Sequence, residues 1–107
     1  MASLWKDFDE YKIYYTNSMR HYNAFIYLYQ EKKFVGTLSF LDNDKNLPNA
    51  VFDNANSIIR LHYHISDFEN IIEILRQEKP LTLYCHSEGF GWLTSSNEPI
   101  GEEEGLE

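Results

Sequence analysis

Residues 58–75, IIRLHYHISDFENIIEIL, contain the change from strand-like to helix-like patterning that decides the fold. The first eight residues alternate between an apolar and a polar face, which is typical of a half-buried strand, and the polar face carries Arg60, His62 and His64. After Ser66, apolar residues recur at helical spacing, at Phe68, Ile71, Ile72 and Leu75. We therefore predict a strand followed by an amphipathic helix over 67–79, with Ser66 as its N-cap and Glu69 completing a capping box.

The segments on either side are mostly strand-like. Residues 11–16, 23–30 and 34–41 are rich in aromatic and β-branched types, and the polar turns between them are short, which predicts an antiparallel meander. The Asn- and Asp-rich residues 42–57 predict a loop, with one helical turn near 50–52. Beyond Pro80, residues 81–87 and 91–95 predict two strands joined through a turn at Gly89.

This order of elements, β-β-β-β-α-β-β, predicts an α+β fold: a curved, mostly antiparallel sheet of about six strands with one helix packed on it. Residues 23–30 are apolar enough on both faces for both to be covered. That leaves open the alternative that the sheet curls into a barrel-like form with a second small core.

Length and composition predict a single small domain. The chain has 107 residues, and we assign 1–97 to one α+β domain and 98–107 to an acidic, flexible tail whose last two residues resemble a vector scar. The net charge of −8 argues against nucleic acid or anionic membrane surfaces as partners. Without a long apolar run or a signal-peptide pattern, we expect a cytoplasmic protein.

The histidines suggest one chemical alternative, a metal site. His62 and His64 alternate on one strand face, about 6.6 Å apart, and can direct two imidazoles at one ion. The parity of residues 81–87 points His86 outward, so it could share that face, with Glu88 as a further ligand. A solvated polar strand face needs no metal, however, so we expect no metal and no cofactor.

The single cysteine, Cys85, does not indicate a catalytic nucleophile. Its neighbour His86 points to the opposite face of a strand, so the two side chains cannot form a hydrogen-bonded pair. We expect Cys85 to be a small core residue. The sequence assigns no catalytic residue and leaves open whether the protein is an enzyme.

Aromatic residues provide the leading functional hypothesis. Alternation sends Ala24, Ile26 and Leu28 toward the helix, so Tyr27 and Tyr29 point outward. We expect a ligand or partner surface that consists of Tyr27, Tyr29, Arg60, His62, His64, Tyr84, His86 and Trp92. The chain would then be a non-enzymatic binding or interaction module for a protein, a small ligand or a second copy of itself. The alternative is a metal-binding protein or metal-dependent enzyme built on His62, His64 and His86.

Overall fold

A computed structural model describes residues 3–19, 21–77 and 81–95. In chain order the elements are β1 (Ser3–Phe8), β2 (Glu10–Met19), β3 (Tyr22–Gln30), β4 (Lys33–Leu41), β5 (Val51–Asp53), β6 (Ile58–His64), a 3₁₀ turn (Ile65–Asp67), α1 (Phe68–Gln77), β7 (Leu81–His86) and β8 (Gly91–Ser95). The predicted α+β class with mostly antiparallel strands and one helix is confirmed. No helix in these described ranges is long and apolar enough to cross a membrane.

The strands form two sheets where the sequence predicted one. The larger sheet has the order β2-β3-β4-β6-β5, and the smaller has the order β1-β7-β8. The predicted meander is confirmed for β2, β3 and β4, but β6 joins β4 in parallel. Both sheets are open, so the barrel-like alternative does not apply to the described strands.

Asp9 lets the chain pass from the small sheet to the large one. It is the only residue between β1 and β2, and its backbone N–H donates to the carbonyl of Tyr29 over 2.8 Å. Because this bond attaches the corner to β3, β1 can leave the large sheet and pair with β7. β1 was not predicted from the sequence.

The inner faces of both sheets and the helix share one core. At Gly36 on β4, an added Cβ would stand 2.6 Å from the Leu83 Cδ1 atom of β7, so the two sheets approach closely there. Phe68 of α1 packs edge-on against Phe40, with ring centroids 4.9 Å apart. The fully buried side chains that fill the centre are Ile26, Leu28, Leu38, Phe40, Ile59 and Leu83.

The helix differs from its prediction at the start. The 3₁₀ turn precedes it, so Ser66 lies inside that turn instead of capping α1, and its backbone N–H donates to Asn43 Oδ1 over 3.0 Å. The predicted apolar stripe of Phe68, Ile71, Ile72 and Leu75 is buried, as expected. The predicted C-terminal end, including Pro80, lies outside the described residues.

The Asn-rich connection also differs from its prediction. Val51–Asp53 form the short edge strand β5, antiparallel to β6, where we predicted a helical turn. Residues 51–53 are extended because they pair with the edge of β6. The Asn and Asp residues around them favour turns, so the local sequence does not indicate this strand. The predicted acidic tail, 98–107, lies outside the described residues.

Candidate functional site

The small sheet assembles a group of aromatic side chains on its outer face. Its central strand β7 directs Leu83 and Cys85 into the core and Tyr84 and His86 outward, as the alternation predicts. On one side β1 pairs Trp5 with Tyr84, and on the other β8 pairs Trp92 with Tyr84. Two strands from opposite ends of the chain thus bring two indoles to one phenol.

The rings of this group contact one another. The Tyr84 ring stacks on Trp92 at 4.2 Å between centroids and lies 4.5 Å from the tilted Trp5 ring. The indoles of Trp5 and Trp92 meet edge-on at 6.5 Å. Phe90 lies 6.1 Å from Trp92 and extends the row toward His86. We call these five residues, Trp5, Tyr84, His86, Phe90 and Trp92, the tryptophan surface.

Exposure differs sharply within the tryptophan surface. Tyr84 retains only 7% of its accessible area, whereas Trp5 retains 55%, Phe90 46% and Trp92 44%. Tyr84 is therefore buried beneath its neighbours, whereas the rings of Trp5, Phe90 and Trp92 are accessible to solvent. Scattered exposed aromatics are ordinary, but contiguous ones mark interaction sites in monomers.

The turn between β7 and β8 holds one end of the tryptophan surface. His86 and Phe90 close it through backbone hydrogen bonds, and Gly89 adopts a φ of 98°, which favours glycine. The rings of His86 and Phe90 then stack almost parallel, 4.5 Å apart. The backbone N–H of Glu88 donates to His86 Nδ1 over 3.1 Å, which fixes the imidazole against the turn.

A second aromatic group lies on the outer face of the large sheet. Tyr27 contacts Tyr14 at 4.8 Å and Phe34 at 5.4 Å between ring centroids, and Tyr29 lies 5.9 Å from Phe34. We call Tyr14, Tyr27, Tyr29 and Phe34 the tyrosine surface. Because the inner faces of both sheets point into one core, the tyrosine and tryptophan surfaces lie on opposite sides of the molecule.

The structure therefore separates the predicted site residues into two sets. Arg60, His62 and His64 share the large sheet's outer face with Tyr27 and Tyr29. The other set, Tyr84, His86 and Trp92, belongs to the small sheet. The expectation that His86 shares a face with His62 and His64 is wrong, because β7 pairs with β1 and not with β6.

The two histidines of β6 have different surroundings. His64 Nε2 lies 2.7 Å from the Lys45 carbonyl and donates to it, which attaches the loop after β4 to β6. His62 Nδ1 is buried and has no hydrogen-bond partner among the described residues. Burial, and then the positive charge of Arg60, lower the pKa of His62 below its ordinary value.

Within the described ranges, no three His, Cys, Asp or Glu side chains converge on a point that could hold a metal ion. His86 uses Nδ1 as an acceptor for the turn, and His64 uses Nε2 for the loop. The geometry thus gives the metal alternative no support. Cys85 is buried at 4% exposure, and burial raises the pKa of its thiol, which opposes a nucleophilic role.

Two members of the tryptophan surface, Trp5 and Phe90, were not predicted from the sequence. Both sit in segments interrupted by charge or glycine, SLWKDF and EGFG. The alternation of Leu4, Lys6 and Phe8 with Trp5 and Asp7 was a usable signal for a strand. Its pairing partner is far away, however: Asp7 and Thr82, which are hydrogen-bonded to each other, are 75 residues apart.

Function must be inferred from the geometry of this site, because a fold alone does not specify an activity. Comparison with protein-family models, with curated proteins and with solved structures finds no match to this chain.

Proposed function

We propose that this protein is a non-enzymatic binding domain and that the tryptophan surface is its binding site. The observation that carries the proposal is the contiguous exposure of Trp5, Phe90 and Trp92 around a buried Tyr84. Burying one large apolar side chain contributes about 1.5–3 kcal/mol, so three exposed rings forgo considerable stabilisation. A partner that covers them would recover it.

The residue types and their support also favour binding. Tryptophan and tyrosine are enriched among the residues that dominate interface energies. Trp5, Tyr84 and Trp92 stand on three paired strands, and ring contacts hold them in place before any partner arrives. Such preorganisation lowers the entropy cost of association.

The chain offers a direct readout of this site. Its two tryptophans are Trp5 and Trp92, so fluorescence excited at wavelengths that tyrosine does not absorb reports on the tryptophan surface. Three probes should be titrated: a basic peptide, a proline-rich peptide and a neutral oligosaccharide. We expect at least one to shift the emission of the wild type, and Trp92→Leu to move that response to higher probe concentration while Trp5 still reports.

Folding must be checked in the same experiment. Trp92→Leu changes a half-exposed side chain and should lower the free energy of unfolding by only about 1 kcal/mol. The matched core variant Leu83→Ala removes a fully buried side chain and should cost about 2–5 kcal/mol. If no probe binds, or if Trp92→Leu is as destabilising as Leu83→Ala, the surface is structural and the proposal is wrong.

A further inference from the structure

Acidic side chains flank the outer face of the small sheet, while Lys33 of the large sheet lines a cavity with Trp5, Lys6 and Asp7. Among the described residues of β1, β7, β8 and the β7–β8 turn, Lys6 is the only lysine or arginine. Lys6 pairs with Leu83, so it belongs to the inner face of the small sheet. The outer face therefore carries no lysine or arginine in this part of the chain.

Carboxylates stand at both ends of that face. Asp7 lies two residues from Trp5 on the same side of β1, and its Oδ1 accepts the Thr82 hydroxyl hydrogen bond over 2.8 Å. Glu88 is exposed in the turn at the opposite end of β7. Between them, His86 Nδ1 accepts a hydrogen bond from the Glu88 N–H. Aromatic rings thus lie between two anionic groups.

This combination suits a cation. A positive group is attracted to the face of an aromatic ring, most strongly to tryptophan, and a planar guanidinium also stacks on it. Nearby carboxylates and the net charge of −8 add attraction and speed encounter. We infer that the tryptophan surface binds arginine side chains of a basic partner segment, an inference that rests on the proposed function and specifies its partner.

The test uses two peptides that differ in charge alone. In one, arginine alternates with glycine; in the other, citrulline replaces each arginine and keeps its shape and planarity. We expect the arginine peptide to bind the full chain about tenfold more tightly, as tryptophan fluorescence and calorimetry would report. Added salt should weaken its binding, because the charges are exposed to solvent.

Variants locate the interaction. Asp7→Asn keeps an acceptor for Thr82 but removes the charge, and should weaken the arginine peptide about threefold. The matched control, Asp44→Asn, makes the same charge change in the loop after β4 and should have no such effect. Trp92→Leu should weaken binding about tenfold, and Trp92→Phe should restore part of it because the aromatic face returns.

Equal binding of the two peptides, or equal effects of Asp7→Asn and Asp44→Asn, would overturn the inference. Binding of the proline-rich peptide or the oligosaccharide, with no response to the arginine peptide, would also overturn it but would leave the proposed function standing. Failure of every probe would overturn both.

Discussion

His62 combines a titratable ring with a buried, unpartnered nitrogen. Its Nδ1 has no hydrogen-bond partner in the described part of the chain, and Arg60 lies on the same strand face. Burial, and then the positive charge of Arg60, oppose the protonated ring and lower the pKa of His62 from its ordinary 6.5. Because the unfolded chain protonates this residue at higher pH than the folded one, acid favours the unfolded state.

We predict that His62 makes the protein less stable as the pH falls through about 6.5 toward its lowered folded-state pKa. Stability is fully present above the unfolded pKa, where His62 is neutral in both states. Denaturant melts at about pH 7.5 and about pH 5.5 should show a smaller loss for His62→Gln than for the wild type. Identical losses would mean that His62 titrates alike in both states.

Residue placement within each predicted strand followed from alternation. Ala24, Ile26 and Leu28 are fully buried, and Cys85 is buried in the same core, as the parity rule predicted. The same rule could not decide which outward residues share a face. His62 and His86 have equivalent patterns, and only the pairing of their strands separates them.

At the scale of elements, the β3–β4 hairpin uses unfavourable turn residues. Glu31 and Lys32 have φ values of 52° and 71°, the left-handed region that a two-residue hairpin turn requires and that glycine adopts without steric cost. The Lys32 ammonium lies 3.2 Å from Glu10, but this exposed ion pair contributes little. The turn therefore retains backbone strain.

We predict that Lys32→Gly raises the free energy of unfolding by about 0.5–1 kcal/mol relative to Lys32→Ala. Both variants lose the ion pair with Glu10, so their difference isolates the backbone strain. Urea melts of the two variants measure it. If Lys32→Ala is at least as stable as Lys32→Gly, the strain assigned to this turn is wrong.

Elements with strong local patterns were predictable, and those defined by distant pairing were not. The helix and six strands were anticipated because each carries its own periodicity. β1 and β5 were missed, since β1 contains Lys6 and Asp7 and β5 has only three residues. The unexpected parallel pairing of β6 with β4 depends on the long connection that crosses between them.

The whole molecule presents aromatic surfaces on two opposite sides, and this division was not predictable from the sequence. A single sheet would have placed Tyr27 and Trp92 on one face. The corner at Asp9 instead sends β1 to a second sheet, so the tyrosine and tryptophan surfaces are separated by the core. Two separate surfaces allow one to bind a partner while the other joins two copies of the chain.

The tyrosine surface is the place where we expect self-association. Tyr27 and Tyr29 are half-buried, and their rings contact Tyr14 and Phe34 on the same face. We predict that replacing both Tyr27 and Tyr29 with serine weakens self-association more than tenfold, because tyrosines at interface centres are frequent hot spots. Sedimentation equilibrium at several concentrations measures this.

The control for this prediction comes from the opposite side of the molecule. Trp92→Leu alters the tryptophan surface and should leave self-association unchanged, while the Tyr27→Ser, Tyr29→Ser variant should retain its response to the arginine peptide. A dimer joined through the tyrosine surface would carry two outward tryptophan surfaces, and a partner with two basic segments would then bind it with higher avidity than it binds a monomer. A wild-type monomer with a strongly destabilised double variant would instead show that these tyrosines serve the fold.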